Sequence, residues 1–508
     1  MEMSQPIQNK SENQRRVSMG LYSSSECESS DEVYGDHFIC LEDQEDRSYK
    51  NDRNKCVSPA TAMLLLKKIF RVPRLGRRSM SSWSKVGIVL LIFVLGPLIF
   101  LMVDDGLPYI CEADPSIVIQ KGGFSVNIAG DKKQMPYFYD SSDGGLDTVG
   151  YNVTSFVIVQ HGWGYNGHDY ACHMAKAIKN AFPDAADRQR IRMIAPQFYW
   201  LRTLFFDVTD APGFNPNRDI YWENKNYQFG AESSSDAHFK QSISSFAVYD
   251  VLLASLCQNY NFPNLETVKL IGFSGGGQFV QRYSTWGAGY ESLIQCAKSV
   301  EFFIGNPNVF AYFNASRPVL NVTETCSAYD FVCGEPEREV TFDIPPRDAC
   351  PENYNAWGWG IEDINVPYMM AIDDLQKGIN EFGTKKITYL AATDDMCNEN
   401  VNYPYGVKID YKCAVPSGKC LNTVLVSTKK ESHCGELLQG FCRYQRIHIW
   451  YQFIKDYFQY EENFNHRFIK IPGVKHEPNK VFQSEEACCP LFGEEAQCCN
   501  ATNYYDRR

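Results

Sequence analysis

This sequence has fewer basic than acidic side chains. Its 508 residues include 49 Lys and Arg against 61 Asp and Glu, which gives a formal net charge of −12. A protein that binds nucleic acid needs a basic surface, so this balance argues against a nucleic-acid partner. The chain also has no internal repeat, which argues against solenoid and propeller folds. Apolar residues make up 44% of the chain, enough for a sizeable core.

Charge is absent altogether from residues 86–103, VGIVLLIFVLGPLIFLMV. As a helix this run would be ~27 Å long, which predicts one transmembrane helix. A cleaved signal peptide is not expected, since the run begins far from the N-terminus. The preceding segment, 63–85, is basic and has no acidic residue, whereas acidic residues follow the run. The positive-inside rule therefore predicts a type II protein whose C-terminal part, 104–508, is lumenal or extracellular.

Residues 1–62 lack the composition of a folded domain. Nine acidic residues and no Lys or Arg lie between Glu26 and Asp46. This predicts a disordered cytoplasmic tail. Tyr34 or Leu64-Leu65 could bind trafficking adaptors, and a solvated tail without a signal is the alternative. Residues 63–78 of the basic segment are expected to lie against the anionic inner leaflet.

Cysteine, by contrast, is abundant. Of the 19 cysteines, three precede the apolar run and 16 follow it, which predicts a disulfide framework in an oxidising compartment. Four glycosylation sequons lie on the same side, at Asn152, Asn314, Asn321 and Asn500. His168, Cys172 and His173 have a spacing that could suggest zinc, but Cys172 is expected in a disulfide. No metal or cofactor is predicted.

One stretch organises the lumenal part. Val268–Phe273 is an apolar, β-rich run that turns through glycines into a helix beginning near Gln278. Gly272-x-Ser274-x-Gly276 is the G-x-S-x-G pattern in its strand–turn–helix context. The glycines are needed because side chains there would collide with the strand or the helix. The pattern predicts a serine nucleophile; a glycine-rich turn that merely packs closely is the alternative.

Strands and helices alternate on both sides of this stretch, which predicts an α/β domain with a mostly parallel sheet flanked by helices. The predicted elements include short edge strands at 116–119 and 136–139 and a single helix over 367–382. Inserted segments interrupt the alternation near 200–240, 310–366 and 397–442, and the last two are rich in cysteine. Aromatic clusters at 198–229 and 354–359 are typical of a core, although they could also line an apolar pocket.

A serine hydroxyl needs a base to take its proton, and histidines are few. Only four follow Ser274. His433 lies in a cysteine-rich loop, His448 in the middle of a predicted helix, and His466 before the last predicted strand. His476 follows that strand, at the sheet edge where Ser274 also emerges. It is therefore the candidate base.

These motifs together resemble the α/β-hydrolase superfamily over residues 150–485, apart from the insertions. The order Ser…Asp…His is that of these enzymes. The resemblance implies a triad of Ser274, His476 and an acid after the strand 386–392. Related sequences often have Gly-x-x-Asp there, which favours Asp395, with Asp394 as the alternative. It also implies an oxyanion hole built from the Trp163 and Gly275 N–H groups, supported by the motif residues His161, Gly162, Gly164, Gly272 and Gly276.

The sequence thus predicts a membrane-anchored serine hydrolase of the cell surface or an endomembrane lumen. A small-molecule ester or lipid is the expected substrate, cleaved through an acyl-enzyme. A catalytically silent hydrolase-fold ectodomain used for binding or adhesion is one alternative. Others are an acyltransferase and a serine peptidase on the same fold. An intact serine, histidine and acid argue against the silent ectodomain.

Overall fold

The computed structural model describes residues 108–499 with gaps at 201–213, 216, 223–225, 236–240, 259, 320–336, 338, 347–349, 351–352, 396–433, 441 and 460–461. The described residues belong to one unit, Gly96–Arg508. The predicted tail, basic segment and transmembrane helix lie outside the described residues, as do Asn321 and Asn500. Within the described ranges, no helix has the length and apolarity needed to cross a membrane.

Thirteen strands occur in the described part of the chain. In chain order they are β1 (Tyr109–Ile110), β2 (Val118–Ile128), β3 (Asp131–Asp140), β4 (Ser155–Gln160), β5 (Ile191–Pro196), β6 (Tyr199–Trp200), β7 (Tyr221–Trp222), β8 (Thr267–Phe273), β9 (Ser299–Gly305), β10 (Arg317–Pro318), β11 (Phe342–Asp343), β12 (Lys386–Ala392) and β13 (His466–Ile471). The strands β6 and β7 form one small sheet, and β10 and β11 form another.

Nine strands form the central sheet, in the order β1-β2-β3-β5-β4-β8-β9-β12-β13. In this order, every neighbouring pair among the last six strands, from β5 through β13, is parallel. The pairs β1–β2, β2–β3 and β3–β5 are antiparallel. The parallel strands end together, since Gln160 pairs with Gly272, and Gly305 pairs with Phe273. The loops that follow β4, β8, β9, β12 and β13 therefore leave from one edge, which we call the carboxyl edge.

Eleven α-helices and one short 3-10 helix (Tyr227–Phe229) accompany the strands in the described ranges. The α-helices are α1 (Gly167–Ala181), α2 (Ala185–Arg188), α3 (Ser245–Gln258), α4 (Gly275–Trp286), α5 (Gly289–Leu293), α6 (Pro367–Met370), α7 (Leu375–Thr384), α8 (Cys434–Leu437), α9 (Arg443–Tyr457), α10 (Pro478–Phe482) and α11 (Glu485–Phe492).

The core has two layers, one on each face of the sheet. Alternate side chains of β4 point to opposite faces, so Phe156 packs in one cluster and Val157 in the other. The first cluster includes apolar side chains of α3, α4, α7 and α9, and the second those of α1, α10 and α11. Helices thus cover both faces, which explains the continuous apolar strands and confirms the predicted α/β architecture.

Three local predictions were wrong. A single helix over 367–382 is two, α6 and α7, because the Asp374 side chain caps Lys377 N–H and begins a new helix. Short edge strands at 116–119 and 136–139 are the long hairpin β2–β3, which turns at Ala129-Gly130 with φ of 49° and 96°. His466 does not precede the last strand but begins it.

Disulfide bonds hold the described domain at several points. The pairs are Cys111–Cys172, Cys257–Cys296, Cys488–Cys498 and Cys489–Cys499. Cys350 and Cys442 are also disulfide-bonded. The first pair ties the segment after β1 to α1 and takes Cys172 out of the zinc alternative. The predicted disulfide framework is therefore present in the described residues.

Reduction is expected to lower the stability of the folded chain, because each native disulfide restricts the unfolded state and contributes ~2–4 kcal/mol. The measurement is denaturant unfolding of the full chain with and without a phosphine reductant. Thiol titration of the unfolded, unreduced protein should find few free thiols after the apolar run. Finding most of them free would contradict the disulfide framework.

Candidate active site

Ser274 stands at a sharp turn between β8 and α4. Its backbone has φ 58° and ψ −122°, a conformation that non-glycine residues rarely adopt. The Ser274 N–H donates to the Gly305 carbonyl (2.9 Å), and its carbonyl accepts from the Gln278 N–H (3.0 Å). Hydrogen bonds from the neighbouring strand end and from the helix therefore hold the strained residue in place, with its side chain half-buried.

The flanking glycines are required by close backbone approach. A Cβ on Gly272 would lie 2.1 Å from the Gly276 carbonyl oxygen. A Cβ on Gly276 would lie 2.2 Å from the carbonyl oxygen of Gln160, at the end of β4. These are the collisions that the glycine spacing predicts. The absence of a Cβ at both positions lets α4 start directly beneath Ser274.

The loop after β4 runs alongside the nucleophile turn. A Cβ on Gly162 would lie 3.3 Å from Ser274 Cβ, and one on Gly275 would lie 3.2 Å from the Trp163 backbone nitrogen. The two backbone segments predicted to donate to an oxyanion are therefore neighbours, on either side of Ser274. Gly164 is also close-packed, against the Asn166 side chain.

His161 holds this loop rather than taking part in chemistry. Its ring is fully buried, with Nδ1 2.8 Å from the Gly162 carbonyl oxygen and Nε2 3.0 Å from the Phe198 N–H. Because Nε2 must accept, Nδ1 carries the proton and donates. Burial lowers the pKa of His161 to about 4, so the ring stays neutral near pH 7. The Tyr227 hydroxyl donates to the His161 carbonyl (2.6 Å) and fixes the loop further.

His476 and Asp395 meet at the carboxyl edge. The distance from His476 Nδ1 to Asp395 Oδ2 is 2.6 Å, and the carboxylate is buried whereas the His476 side chain is 28% exposed. The ring centroids of His476 and Phe273 lie 4.9 Å apart, which places the imidazole beside the residue that precedes Ser274. The sequence-predicted serine, histidine and acid thus occupy neighbouring loops of one edge.

Of the two candidate acids, the structure brings only Asp395 to the histidine. Asp394 is exposed, and its carboxylate accepts from the Thr393 hydroxyl. Its N–H donates to the Val474 carbonyl (2.9 Å), which holds the loop before His476.

Asn306 is a site residue that the sequence analysis missed. It is fully buried, has φ 31°, and follows β9 directly. Its Nδ2 donates to Asp395 Oδ2 (2.8 Å) and to the Ala392 carbonyl (3.2 Å), and its Oδ1 accepts from the Ala392 N–H (2.9 Å). The Asn306 amide therefore fixes the end of β12 and orients the Asp395 carboxylate. A polar residue at a strand end on the carboxyl edge was the available signal.

Arg443, also missed, approaches the other carboxylate oxygen. Its Nη1 lies 3.9 Å from Asp395 Oδ1, which has no hydrogen-bond partner within the described ranges. The Tyr444 N–H donates to the Asp395 carbonyl (3.1 Å). The first turn of α9 thus lies against the acid.

The remaining histidines are placed elsewhere. His448 lies within α9, with Nδ1 3.0 Å from Gln452 Nε2. His466 is buried, with Nε2 2.8 Å from the Phe382 carbonyl oxygen, and burial lowers its pKa to about 3. His433 lies outside the described residues. Among the candidates that the structure describes, only His476 reaches an acid at the carboxyl edge.

The aromatic clusters contribute to the core where they are described. Phe198, Trp222 and Tyr227 are at most 1% exposed; the Phe198 ring stacks on Tyr227 and meets Trp222 edge to face. Arg282 of α4 is buried over the Phe229 ring and donates to the Gly358 carbonyl. Burial lowers its pKa to about 9. This arginine anchors the nucleophile helix to the 310–366 insertion.

No protein-family model matches the chain, and no curated protein matches it significantly.

Solved structures that resemble the chain include LpqC, a poly(3-hydroxybutyrate) depolymerase from Bordetella parapertussis. The two sequences are 16% identical, the match covers 77% of this chain and 95% of LpqC, and the TM-score is 0.41. The siderophore hydrolase EstB from Aspergillus nidulans has 8% identity, coverages of 74% and 95%, and a TM-score of 0.34. An S-formylglutathione hydrolase from Agrobacterium tumefaciens has 10% identity, coverages of 72% and 91%, and a TM-score of 0.31. The α/β-hydrolase fold follows from this chain's own parallel sheet with helices on both faces and from its strand–turn–helix at Ser274.

Proposed function

We propose that the chain is a serine hydrolase that cleaves carboxylic esters through an acyl-enzyme on Ser274. The observation that carries the proposal is one arrangement at the carboxyl edge. A strained serine lies beside a glycine loop, and a histidine hydrogen-bonded to a buried carboxylate lies against the preceding residue. A binding module has no need of this combination.

Each group has a defined role in the proposed reaction. His476 Nε2 takes the Ser274 Oγ proton as Oγ attacks the ester carbonyl, and later gives it to the departing alkoxide. Asp395 Oδ2 accepts a hydrogen bond from the His476 Nδ1–H group. This bond fixes the tautomer and stabilises the imidazolium. The Trp163 and Gly275 N–H groups bind the oxyanion. Water, activated by the same base, then releases the acid from Ser274.

The surroundings of Ser274 support a small-molecule ester or lipid as substrate. Trp163 is 49% exposed, although its backbone nitrogen and one edge of its indole lie against Gly275. An exposed indole at this point gives the apolar part of a substrate a surface to pack on.

The test uses the purified full-length chain in detergent. Labelling by a fluorophosphonate probe reports an activated serine. A panel of short esters, lipid esters, thioesters and peptides then defines the substrate, and an added alcohol acceptor distinguishes transfer from hydrolysis. A folded chain that neither labels nor turns over any ester would refute the proposal and favour the silent ectodomain.

Membrane anchoring through residues 86–103, with the hydrolase domain lumenal or extracellular, is part of the same proposal. All four described disulfide pairs lie after the apolar run, which supports an oxidising environment for this part of the chain. Asn152 and Asn314, the sequon asparagines that the structure describes, are both exposed.

Glycosidase treatment of the cell-expressed protein is expected to lower its apparent mass, because Asn152 and Asn314 are accessible to the glycosylation machinery. Asn152→Gln and Asn314→Gln should each remove part of the shift. Asn9→Gln, in a sequon on the predicted cytoplasmic side, is the matched control and should remove none. No shift in the parent, together with cleavage of the hydrolase domain by protease added to the cytosolic side, would contradict the topology.

A further inference from the structure

Arg443 places a buried positive charge beside the candidate triad acid. The Arg443 side chain is 10% exposed and that of Asp395 is 1% exposed, with Nη1 and Oδ1 3.9 Å apart. The Arg443 Nε has no hydrogen-bond partner within the described ranges. A guanidinium is rarely buried without an acid to balance it, so the pairing with Asp395 accounts for its position.

The two oxygens of Asp395 have different surroundings. Oδ2 accepts from His476 and from Asn306, whereas Oδ1 has no hydrogen-bond partner among the described residues and lies 3.9 Å from Arg443 Nη1. Helix α9 adds to this field, because it begins at Arg443 and the positive end of its dipole lies next to the carboxylate. A buried carboxylate needs compensating positive charge nearby, and Arg443 and this helix end supply it.

We infer that Arg443 is a positioning residue that keeps Asp395 ionised and lowers the proton affinity of the Asp395–His476 pair. The inference rests on the proposed function. A buried carboxylate without a compensating cation would hold the imidazolium strongly, leaving less neutral His476 to accept the Ser274 proton. With Arg443 in place, the charges of Asp395 and Arg443 largely cancel. His476 therefore stays neutral and available as the base.

Other charged groups near the pair are paired with each other or lie in solvent. On the loop after β12, Asp394 is exposed. Beside α9, Glu337 accepts from the Tyr444 hydroxyl and pairs with Lys470 of β13 (2.5 Å). On the loop after β13, Glu477 pairs with Lys480 (2.8 Å), and Lys475 is exposed. Within the described ranges, only Arg443 presents a cation to Asp395 within 4.0 Å.

The experiment measures fluorophosphonate labelling rates of the full-length chain from pH 5 to 9, which requires no knowledge of the substrate. Arg443→Gln and Arg443→Met remove the charge, Arg443→Lys keeps it, and Arg446→Met is the matched control. Arg446 is a fully buried arginine one turn later in α9, paired with Glu436 at 2.8 Å. Thermal unfolding establishes which variants fold.

On the acidic side of the profile, the labelling rate falls as His476 becomes protonated; we call this part the acidic limb. Removing the cation should move the acidic limb to a pH about one unit higher and slow labelling below pH 7 about tenfold. The sign follows because a lost positive charge raises the proton affinity of the pair. Arg443→Lys should return the limb toward the parent. Arg446→Met should lower the unfolding temperature and leave the limb in place.

An unchanged limb in a folded Arg443→Gln or Arg443→Met variant would overturn the inference, even if labelling slowed evenly at every pH. If neither neutral variant folds, Arg443→Lys decides. The shorter lysine side chain keeps the charge but holds it farther from Asp395 Oδ1, so its limb should lie above the parent's by less than about one pH unit. A limb at the parent's position or below it overturns the inference. A folded parent that fails to label at any pH is a different result, because it refutes the proposed function itself.

Discussion

Replacing Ser274 with alanine should abolish both fluorophosphonate labelling and ester hydrolysis, with a loss on the order of 10⁵–10⁶ in kcat. The substitution removes the only oxygen that can form the acyl bond, and the turn is held by backbone hydrogen bonds that alanine keeps. His476→Ala should be about as damaging, because both residues serve the same step and their losses do not add.

Ser284→Ala is the matched control. Ser284 lies on the same helix, and its buried hydroxyl donates to the Gln281 carbonyl, away from the site. It should label like the parent, and circular dichroism should show Ser274→Ala to be folded. Undiminished hydrolysis by folded Ser274→Ala would refute the serine mechanism.

Asp395→Asn should reduce kcat on the order of 10⁴, by analogy with serine proteases in which the triad aspartate becomes asparagine. The surroundings make either orientation of the new amide unfavourable. If its NH₂ faces His476, it opposes the Asn306 NH₂ and imposes the wrong imidazole tautomer. If its oxygen faces His476, the negative charge is still lost and the NH₂ meets Arg443.

Asp394→Asn is the paired measurement, with steady-state kinetics on the best ester of the panel. It should change kcat by less than about threefold, since Asp394 is exposed and its carboxylate contacts only Thr393 among the described residues. A crippled Asp394→Asn beside a mild Asp395→Asn would show that the two acids have been assigned to the wrong roles.

The parts of the site that sequence could predict are those fixed by local geometry. Gly272 is required by its contact with Gly276, and Gly276 by the end of the neighbouring strand β4. The G-x-S-x-G spacing therefore records how closely strand and helix approach at this turn. His476 followed from its place after the last strand. The Asp395 preference came from a motif in which Ala392 replaces the usual glycine, and the structure brings that acid to His476.

Asn306 and Arg443 could not be predicted in the same way, because their roles depend on which loops become neighbours in the sheet. Asn306 reaches Asp395 only because β9 and β12 pair in parallel, with Gly305 opposite Leu390. Arg443 comes from a helix that follows the third insertion, and nothing in its local sequence indicates an acid nearby. The predicted helix 367–382 is interrupted at Asp374 by a side-chain cap, a feature that an apolar pattern does not record.

The position of β13 has a consequence for synthesis. It is the last strand of the described chain, lies at one edge of the sheet, and pairs only with β12, with His466 opposite Ile387. The nucleophile turn is made some 200 residues before His476, so the base reaches it only after long-range strand pairing, which folds slowly. A nascent chain that has not yet docked its final strand holds the serine without the base. Esterase activity should therefore appear only at the end of folding, and ribosome-bound or C-terminally truncated chains should be inert.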